Sequence, residues 1–317
     1  MKRVIFSFFV VILLTACSTG GYSPSFWRYA EKCPCDTQNT YKRIVLQSGV
    51  HAGLMYELGV LDHIVGMFEM EAVTDTILQS ALIRQGVVNL GNSLSPQIEK
   101  IIALKPDALF LSPIENSGFG ALENCEIPIV ECADYMENSP LGRAEWMRYY
   151  GRLTGCGEKA DSLFEVVENQ YLDEKSRTQN SRNLSLLVDF PQFGAWYVPG
   201  GKSYLAQIYA DAGLKYVFGE NDDEGSVPMN FETVFQQAKD ADVWIVKYGK
   251  STDYTLHDLL KIDSRFAAFS AFQKGQIWGC NTYRVPYYES LPFHPERLLR
   301  DLRKVGKEDG VFYQKLH

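Results

Sequence analysis

One phrase occurs twice in this chain, and it constrains the fold more than anything else in the sequence. Glu99-Lys-Ile-Ile-Ala-Leu-Lys-Pro-Asp107-Ala108 and Glu232-Thr-Val-Phe-Gln-Gln-Ala-Lys-Asp240-Ala241 each set a glutamate eight residues before an Asp-Ala pair. Each then runs into an apolar strand. A second pair of segments echoes in the same way: Tyr56-Glu-Leu-Gly59 with Val65-Gly66, and Tyr209-Ala-Asp-Ala-Gly213 with Val217-Phe-Gly219. Internal similarity decides architecture before any single element does. The echoes predict two lobes of like fold; the alternative is chance likeness between short α/β segments.

The elements around the echoes agree. Strand-like runs are Arg43 to Gln47, Val60 to Met67, Ala108 to Leu111, Ile127 to Val130, Leu184 to Val188 and Val243 to Val246. Helical patterns lie between them: His51 to Leu58 closed by Gly59, Ile98 to Leu104, Tyr204 to Ala212 closed by Gly213, and Phe231 to Ala238. Such alternation means an α/β chain with a mostly parallel sheet. Between the halves, Ser139-Pro140 is an N-cap and first-turn pair that starts a helix to about Thr154, and Gly155-Cys-Gly157 breaks it. A second helix is predicted from Glu158 to Arg177 with Ala160, Leu163, Val167 and Tyr171 on one face. At 1.5 Å per residue it reaches about 30 Å, enough to bridge two lobes as a stiff joint.

The first residues carry a different signal. Lys2 and Arg3 precede an apolar run from Val4 to Leu14, and small residues then lead to Cys17. A basic start, a short apolar stretch and a small-residue cleavage site describe a secretory signal. The run falls short of the roughly 20 residues needed to span a bilayer. Leu-Thr-Ala-Cys17 resembles a bacterial lipobox, in which the cysteine becomes the lipidated N-terminus; the alternative is an ordinary cleaved signal. Ser18 to Ser25 reads as a tether. The expected organisation is a signal over 1–16, lipidated Cys17 and tether over 17–40, an N-terminal α/β lobe over 41–138, a helical joint over 139–181 and a C-terminal α/β lobe over 182–317.

Charge and cysteines narrow the classes. Loss of residues 1–16 removes Lys2 and Arg3 and no acid, so a formal charge of −8 becomes −10. That is a poor basis for nucleic-acid affinity, which comes largely from cations neutralising phosphates. Beyond Cys17 stand Cys33, Cys35, Cys125, Cys132, Cys156 and Cys280. Cys33-Pro-Cys35 has no second Cys/His pair at zinc spacing. Gly200-Gly-Lys-Ser203 ends like a phosphate-binding loop, but Trp196 stands where that loop requires glycine. The chain holds neither a Gly-x-Ser-x-Gly elbow nor a His-Glu-x-x-His motif. The acids Glu220 to Glu224 lack calcium-loop spacing and read as a solvated turn.

From Tyr41 onward the chain resembles the solute-binding proteins for cobalamin, ferric siderophores and haem. The carriers are Leu-Gly-Val-Leu-Asp-His-Ile-Val-Gly66, Ile98 to Asp107, Gly-Arg-Leu-Thr-Gly155, Gly-Gly-Lys-Ser203 with the helix into Gly213, and Phe293-His-Pro-Glu-Arg-Leu-Leu-Arg-Asp301. The resemblance implies two Rossmann-like lobes joined by a single long α-helix, the helical-backbone periplasmic-binding fold. It also implies a monomer with no intrinsic cofactor, no catalytic role and a metal chelate as cargo. The partners implied are an ABC permease dimer, and the membrane through the lipid anchor only. By motif the permease-docking glutamates fall on Glu99 and Glu232, the two that the internal echo already singles out; both also suit a helix first turn.

Ligands of open α/β sheets bind beyond the carboxyl ends of the strands. The loops there offer His51, Glu69, Glu115, Asn116, Phe119, Phe193, Trp196, Tyr197, Tyr248, Tyr283 and Arg284, with Met70, Phe190, Gln192 and Tyr287 beside them. Dense aromatic surface suits a large flat or macrocyclic ligand. His51 is either a metal ligand or a loop hydrogen-bonder, and Arg284 either meets an anionic group or is solvated. The rival classes are a receptor for bare metal ions, an exported enzyme and a lipoprotein that stores ligand without a permease.

Overall fold

The computed structural model describes residues 40–113, 118–178 and 183–317. The signal, Cys17, the tether, Cys33, Cys35, Glu115 and Asn116 lie outside the described residues.

Two five-stranded sheets organise the chain. The first contains β1 (Ile44–Leu46), β2 (Ile64–Met67), β3 (Val88–Asn89), β4 (Ala108–Leu111) and β5 (Ile129–Glu131), in the spatial order β3-β2-β1-β4-β5 and parallel throughout. Its crossovers carry α1 (Gly49–Leu58), α2 (Thr76–Gln85) and α3 (Ile98–Ala103). The joint follows as α4 (Pro140–Leu153) and α5 (Gly157–Ser176).

The second sheet contains β6 (Leu184–Val188), β8 (Leu214–Tyr216), β10 (Val243–Tyr248), β11 (Ile277–Asn281) and β12 (Gln314–Lys315), in the order β12-β11-β10-β6-β8 with only β12 antiparallel. A separate hairpin pairs β7 (Trp196–Pro199) with β9 (Ser226–Met229). The helices of this half are α6 (Tyr204–Asp211), α7 (Phe231–Ala238), α8 (Leu256–Ile262), α9 (Ser270–Gln273), α10 (Tyr287–Ser290) and α11 (Pro295–Leu302).

The sequence echoes occupy equivalent places. Helix α1 leads to β2 beside β1, as α6 leads to β8 beside β6; α3 leads to β4 on the other side of β1, as α7 leads to β10 on the other side of β6. Local chemistry sets the helix ends. Ser48, Ser139, Ser203 and Asn230 accept first-turn N–H groups at α1, α4, α6 and α7. Gly59 closes α1 in the left-handed region at φ 74°. The two runs predicted as strands from Val60 and Ile127 begin later, at Ile64 and Ile129. In the first, Leu61–His63 forms a 3₁₀ turn.

Helix α5 carries one apolar face from one core to the other. Ala160, Phe164 and Val167 pack into the cluster of the first sheet, and Tyr171, one turn further, into that of the second. Phe164 takes the buried place that the sequence periodicity assigns to Leu163, which is only half-buried. A second seam accompanies this joint. The segment from α10 into α11 lies against α1, where a Cβ at Gly53 would sit 2.3 Å from the Glu289 carbonyl oxygen. Glu289 accepts the Thr74 backbone N–H at 2.5 Å and its hydroxyl at 3.1 Å. His294 reaches Glu57 of α1 at 2.6 Å. The lobes are therefore tied at two places, whereas the sequence reading provides for one.

Candidate functional site

The strands of both sheets end toward one region. Strand β1 delivers Gln47 and Ser48 to the start of α1, β4 delivers Ser112 and Pro113, and β5 delivers Cys132 to Tyr135. From the other sheet β6 delivers Asp189 and Phe190, β10 delivers Gly249, and β11 delivers Thr282. Three adjoining cavities lie there. One of 740 Å³ runs between Tyr135, Met136 and Glu137 on one side and Tyr197, Tyr204 and Glu224 on the other. It shares Asp189 and Tyr197 with a cavity of 250 Å³ over Lys247 and Tyr288. It shares Tyr135 with one of 220 Å³ at the N-terminus of α1. The arrangement matches the rule that open α/β sheets present ligand sites beyond their strand ends.

Several aromatic side chains lie open at these cavities. Phe193 is 97% exposed, and Tyr135, Tyr197 and Tyr288 are about half exposed. Phe193 and Asp189 both hold left-handed backbone, at φ 53° and 54°, which a non-glycine residue adopts only under local constraint. Asp189 supplies that constraint. Its carbonyl accepts the Trp244 indole N–H at 2.7 Å, and its carboxylate takes the Lys247 ammonium at 2.6 Å and the Lys247 backbone N–H at 3.1 Å. Burial alone would lower the Lys247 pKa; the Asp189 charge outweighs it, so the value rises.

On the opposite wall a polar network is sealed beneath the surface. Asp134, 2% exposed, accepts His51 Nε2 and the Tyr150 hydroxyl on Oδ1, each at 2.9 Å, and Arg143 Nε on Oδ2 at 3.2 Å. Burial alone would push the His51 pKa down, but the adjacent Cys132 and Asp134 outweigh it and raise the value to about 10. The Asp134 carboxyl is held far below its usual range: burial opposes this, but the His51 and Arg143 charges prevail.

Not every residue expected at the cleft reaches it. Phe193 and Tyr197 line it. Trp196, which alternation along β7 turns inward, is fully buried; it stacks on Trp244 at 5.8 Å and gives its indole N–H to the Val188 carbonyl at 2.9 Å. Phe266, Phe269 and Phe231 surround it. Part of the aromatic density in the sequence is thus core. Phe190 and Tyr248 edge the 250 Å³ cavity but are 7% exposed, and Met70 and Tyr287 are buried. His51 is 3% exposed at the edge of the 220 Å³ cavity; its Nε2 is committed to Asp134, and its buried Nδ1 has no hydrogen-bond partner among the described residues.

Glu69 is exposed and takes the Ser93 hydroxyl at 3.0 Å, and Phe119 packs on the outer face of the first sheet. Neither lines the three cavities. Arg284 pairs with Asp253 at 3.2 Å and the Ser251 carbonyl at 3.1 Å, beside a different cavity of 420 Å³. Tyr283 lies over Gly249, where a Cβ would meet its ring at 2.6 Å.

The sequence reading passed over Tyr135, Arg143, Asp189, Tyr204, Lys247 and Tyr288. Tyr135 lies in the 3₁₀ turn after β5, whereas Arg143 and Tyr204 sit in the first turns of α4 and α6, where no strand-end signal points. The Gly200-Gly201 pair has a packing role: Cβ atoms there would sit 2.3 Å from the carbonyl oxygens of Asp223 and Asn221.

Residues 44–283 match the family described as periplasmic binding protein, which is more than half of the chain. The chain belongs to the periplasmic binding protein family. Among its relatives is a lipoprotein of Methanocaldococcus jannaschii, 29% identical over 244 residues, covering 76% of this chain and 57% of that one. The chain thus spans less than two thirds of that relative's length. Among solved structures, the ABC-type Fe3+-hydroxamate transport system protein of Saccharomonospora viridis shares the fold at TM-score 0.66 and 20% identity, over 85% of this chain and 94% of its own. The periplasmic haem-binding protein of Vibrio cholerae shares it at TM-score 0.63 and 16% identity, over 82% and 98%. The family of this periplasmic binding protein is shown by the sequence match, and its fold by the likeness to solved structures. None of its described helices is long and apolar enough to cross a membrane.

Proposed function

We propose that this periplasmic binding protein is the extracytoplasmic solute-binding lipoprotein of an ABC importer. It captures a metal chelate (corrinoid, ferric siderophore or haem) between its lobes and delivers it to the permease. The observation that carries this reading is the pair of adjoining cavities across the strand ends, with Tyr135 on one wall and Phe193, Tyr197 and Tyr204 on the other. Their size class suits a ligand of several hundred Å³.

The export and anchoring part of the proposal rests on the Leu14 to Cys17 lipobox resemblance and on a relative named a lipoprotein. The delivery part rests on Glu99 and Glu232. Both are exposed in the first turn of equivalent helices, α3 and α7. Two carboxylates at matching positions of a pseudo-symmetric pair of lobes suit a two-fold permease surface, where charge fixes register and speeds encounter.

The test is calorimetric titration of the chain from Ser18 onward with cyanocobalamin, cobinamide, haemin and a panel of ferric siderophores. Saturable binding below micromolar by one class supports the reading and names the cargo. Absence of binding by every class rejects it.

A further inference from the structure

On the wall formed by α1 and α4, one buried carboxylate, Asp134, serves two basic side chains, His51 and Arg143. Arg143 is 9% exposed and lines the 220 Å³ cavity together with Ser48, His51, Ser112, Asp134 and Tyr135. Its Nε is spent on Asp134 at 3.2 Å, and its guanidinium lies 5.0 Å from the centre of the Tyr204 ring. Neither of its Nη groups hydrogen-bonds to any of the described residues. Asp134 also serves His51 and Tyr150, so one carboxylate is divided between two cationic side chains.

The same cavity opens at the N-terminus of α1, a helix of ten residues. There the first-turn N–H groups and the helix dipole favour negative charge. A buried guanidinium with unmet donors is costly to leave unpaired, and its planar fork matches a carboxylate in two parallel hydrogen bonds.

We propose that this cavity receives a carboxylate of the bound chelate on Arg143, and that the protein thereby selects acidic chelates over uncharged ones. The inference rests on the chelate-binding reading above and narrows it. The aromatic cavity next to it supplies surface for the body of the ligand; Arg143, with the Ser48 and Ser112 hydroxyls and the α1 terminus, supplies the anion contact. Tyr204, from the other lobe, holds the guanidinium in place.

The test pairs acidic ligands with uncharged ones. Haemin and its dimethyl ester are titrated into the chain from Ser18 onward, alongside anionic ferric citrate and an uncharged ferric hydroxamate, with Arg143→Gln and Arg143→Lys variants. The expected result is at least tenfold tighter binding of the acidic member of a pair. Arg143→Gln should erase that preference while weak binding of the uncharged member persists, and Arg143→Lys should keep part of it. Should Arg143→Gln fail to fold, the wild-type preference and its loss with rising salt decide the matter. Equal affinity for charged and uncharged members, or tight binding of an uncharged corrinoid alone, overturns this inference and leaves the chelate-binding reading intact. No binding by any chelate overturns both.

Discussion

His294, at the start of α11, sets its Nε2 2.6 Å from a carboxylate oxygen of Glu57 on α1 and its Nδ1 3.0 Å from Glu296. Two acceptors on opposite ring nitrogens require both to carry protons, so the imidazolium is the form that the fold holds. Burial alone would lower the His294 pKa; the hydrogen bonds and charges of Glu296 and Glu57 outweigh it and raise it above 6.5. Glu57 moves the other way: burial opposes the shift, and His294 and Arg297 lower its value.

The sign follows for each partner. The raised His294 contributes stability that is complete below its unfolded value and is lost as pH climbs through its higher native value. The lowered Glu57 contributes stability that is complete above its unfolded value and is lost as pH falls through its lower native one. The clasp between the lobes is therefore strongest in the interval between those two limits. His294→Ala should cost about 3 kcal/mol near neutrality, as expected for breaking a largely buried ion pair. It should also flatten the alkaline limb of a melting-temperature profile; an unchanged profile would exclude His294 as the clasp.

Gly53→Ala tests the same seam sterically. The added Cβ would sit 2.3 Å from the Glu289 carbonyl oxygen, a backbone atom that cannot swing aside. Overpacking of this kind costs about 1–3 kcal/mol. Chemical denaturation should register that loss, while far-UV circular dichroism stays native.

Trp196 separates core from cleft. Trp196→Ala should destabilise by about 3–5 kcal/mol, the range for emptying a large buried aromatic site. Its effect on the affinity of the folded protein should be small. A selective loss of affinity without loss of stability, measured by calorimetry beside thermal melts, would return Trp196 to the binding surface.

Phe193 and Tyr197 should show the reverse. Both are exposed at the cleft, so truncation to alanine leaves stability within about 0.5 kcal/mol. Each should weaken chelate binding by roughly tenfold or more, from the 1.5–3 kcal/mol that a buried aromatic contributes. The comparison needs only titrations and melts of the two variants.

For delivery, Glu99→Ala combined with Glu232→Ala should leave ligand affinity unchanged and abolish uptake at limiting ligand. Glu232 pairs with Arg265 at 3.1 Å, but both are well exposed, and such a pair is worth about 0–1 kcal/mol. Stability loss therefore cannot mimic the effect. Uptake at wild-type rates in the double variant would remove the docking role.

The fold was open to reading because its signals are local or repeated. The cap at Ser139, the closing Gly59 and Gly213, and the two Glu-to-Asp-Ala phrases each act through near neighbours in the chain. Their spacing fixes strand, helix and strand again before any tertiary contact forms. The cleft was legible only in part, because strand ends name the loops that reach it but not which way each side chain turns. Alternation along a strand is decided by what packs on each face, so Trp196 went into the core beside Trp244 while its neighbour Tyr197 stayed in the cavity.

Charge was settled by tertiary packing alone. His51 stands 83 residues before Asp134, so no motif joins it to Asp134 and Arg143, and their interaction exists only because α1 converges on the turn after β5 and on α4. The second seam is of the same kind: Thr74 meets Glu289 and Glu57 meets His294 across more than 200 residues. Sequence periodicity specifies the elements and their order. Long-range burial then decides which titratable groups lose water together, and so where the protein holds its charge.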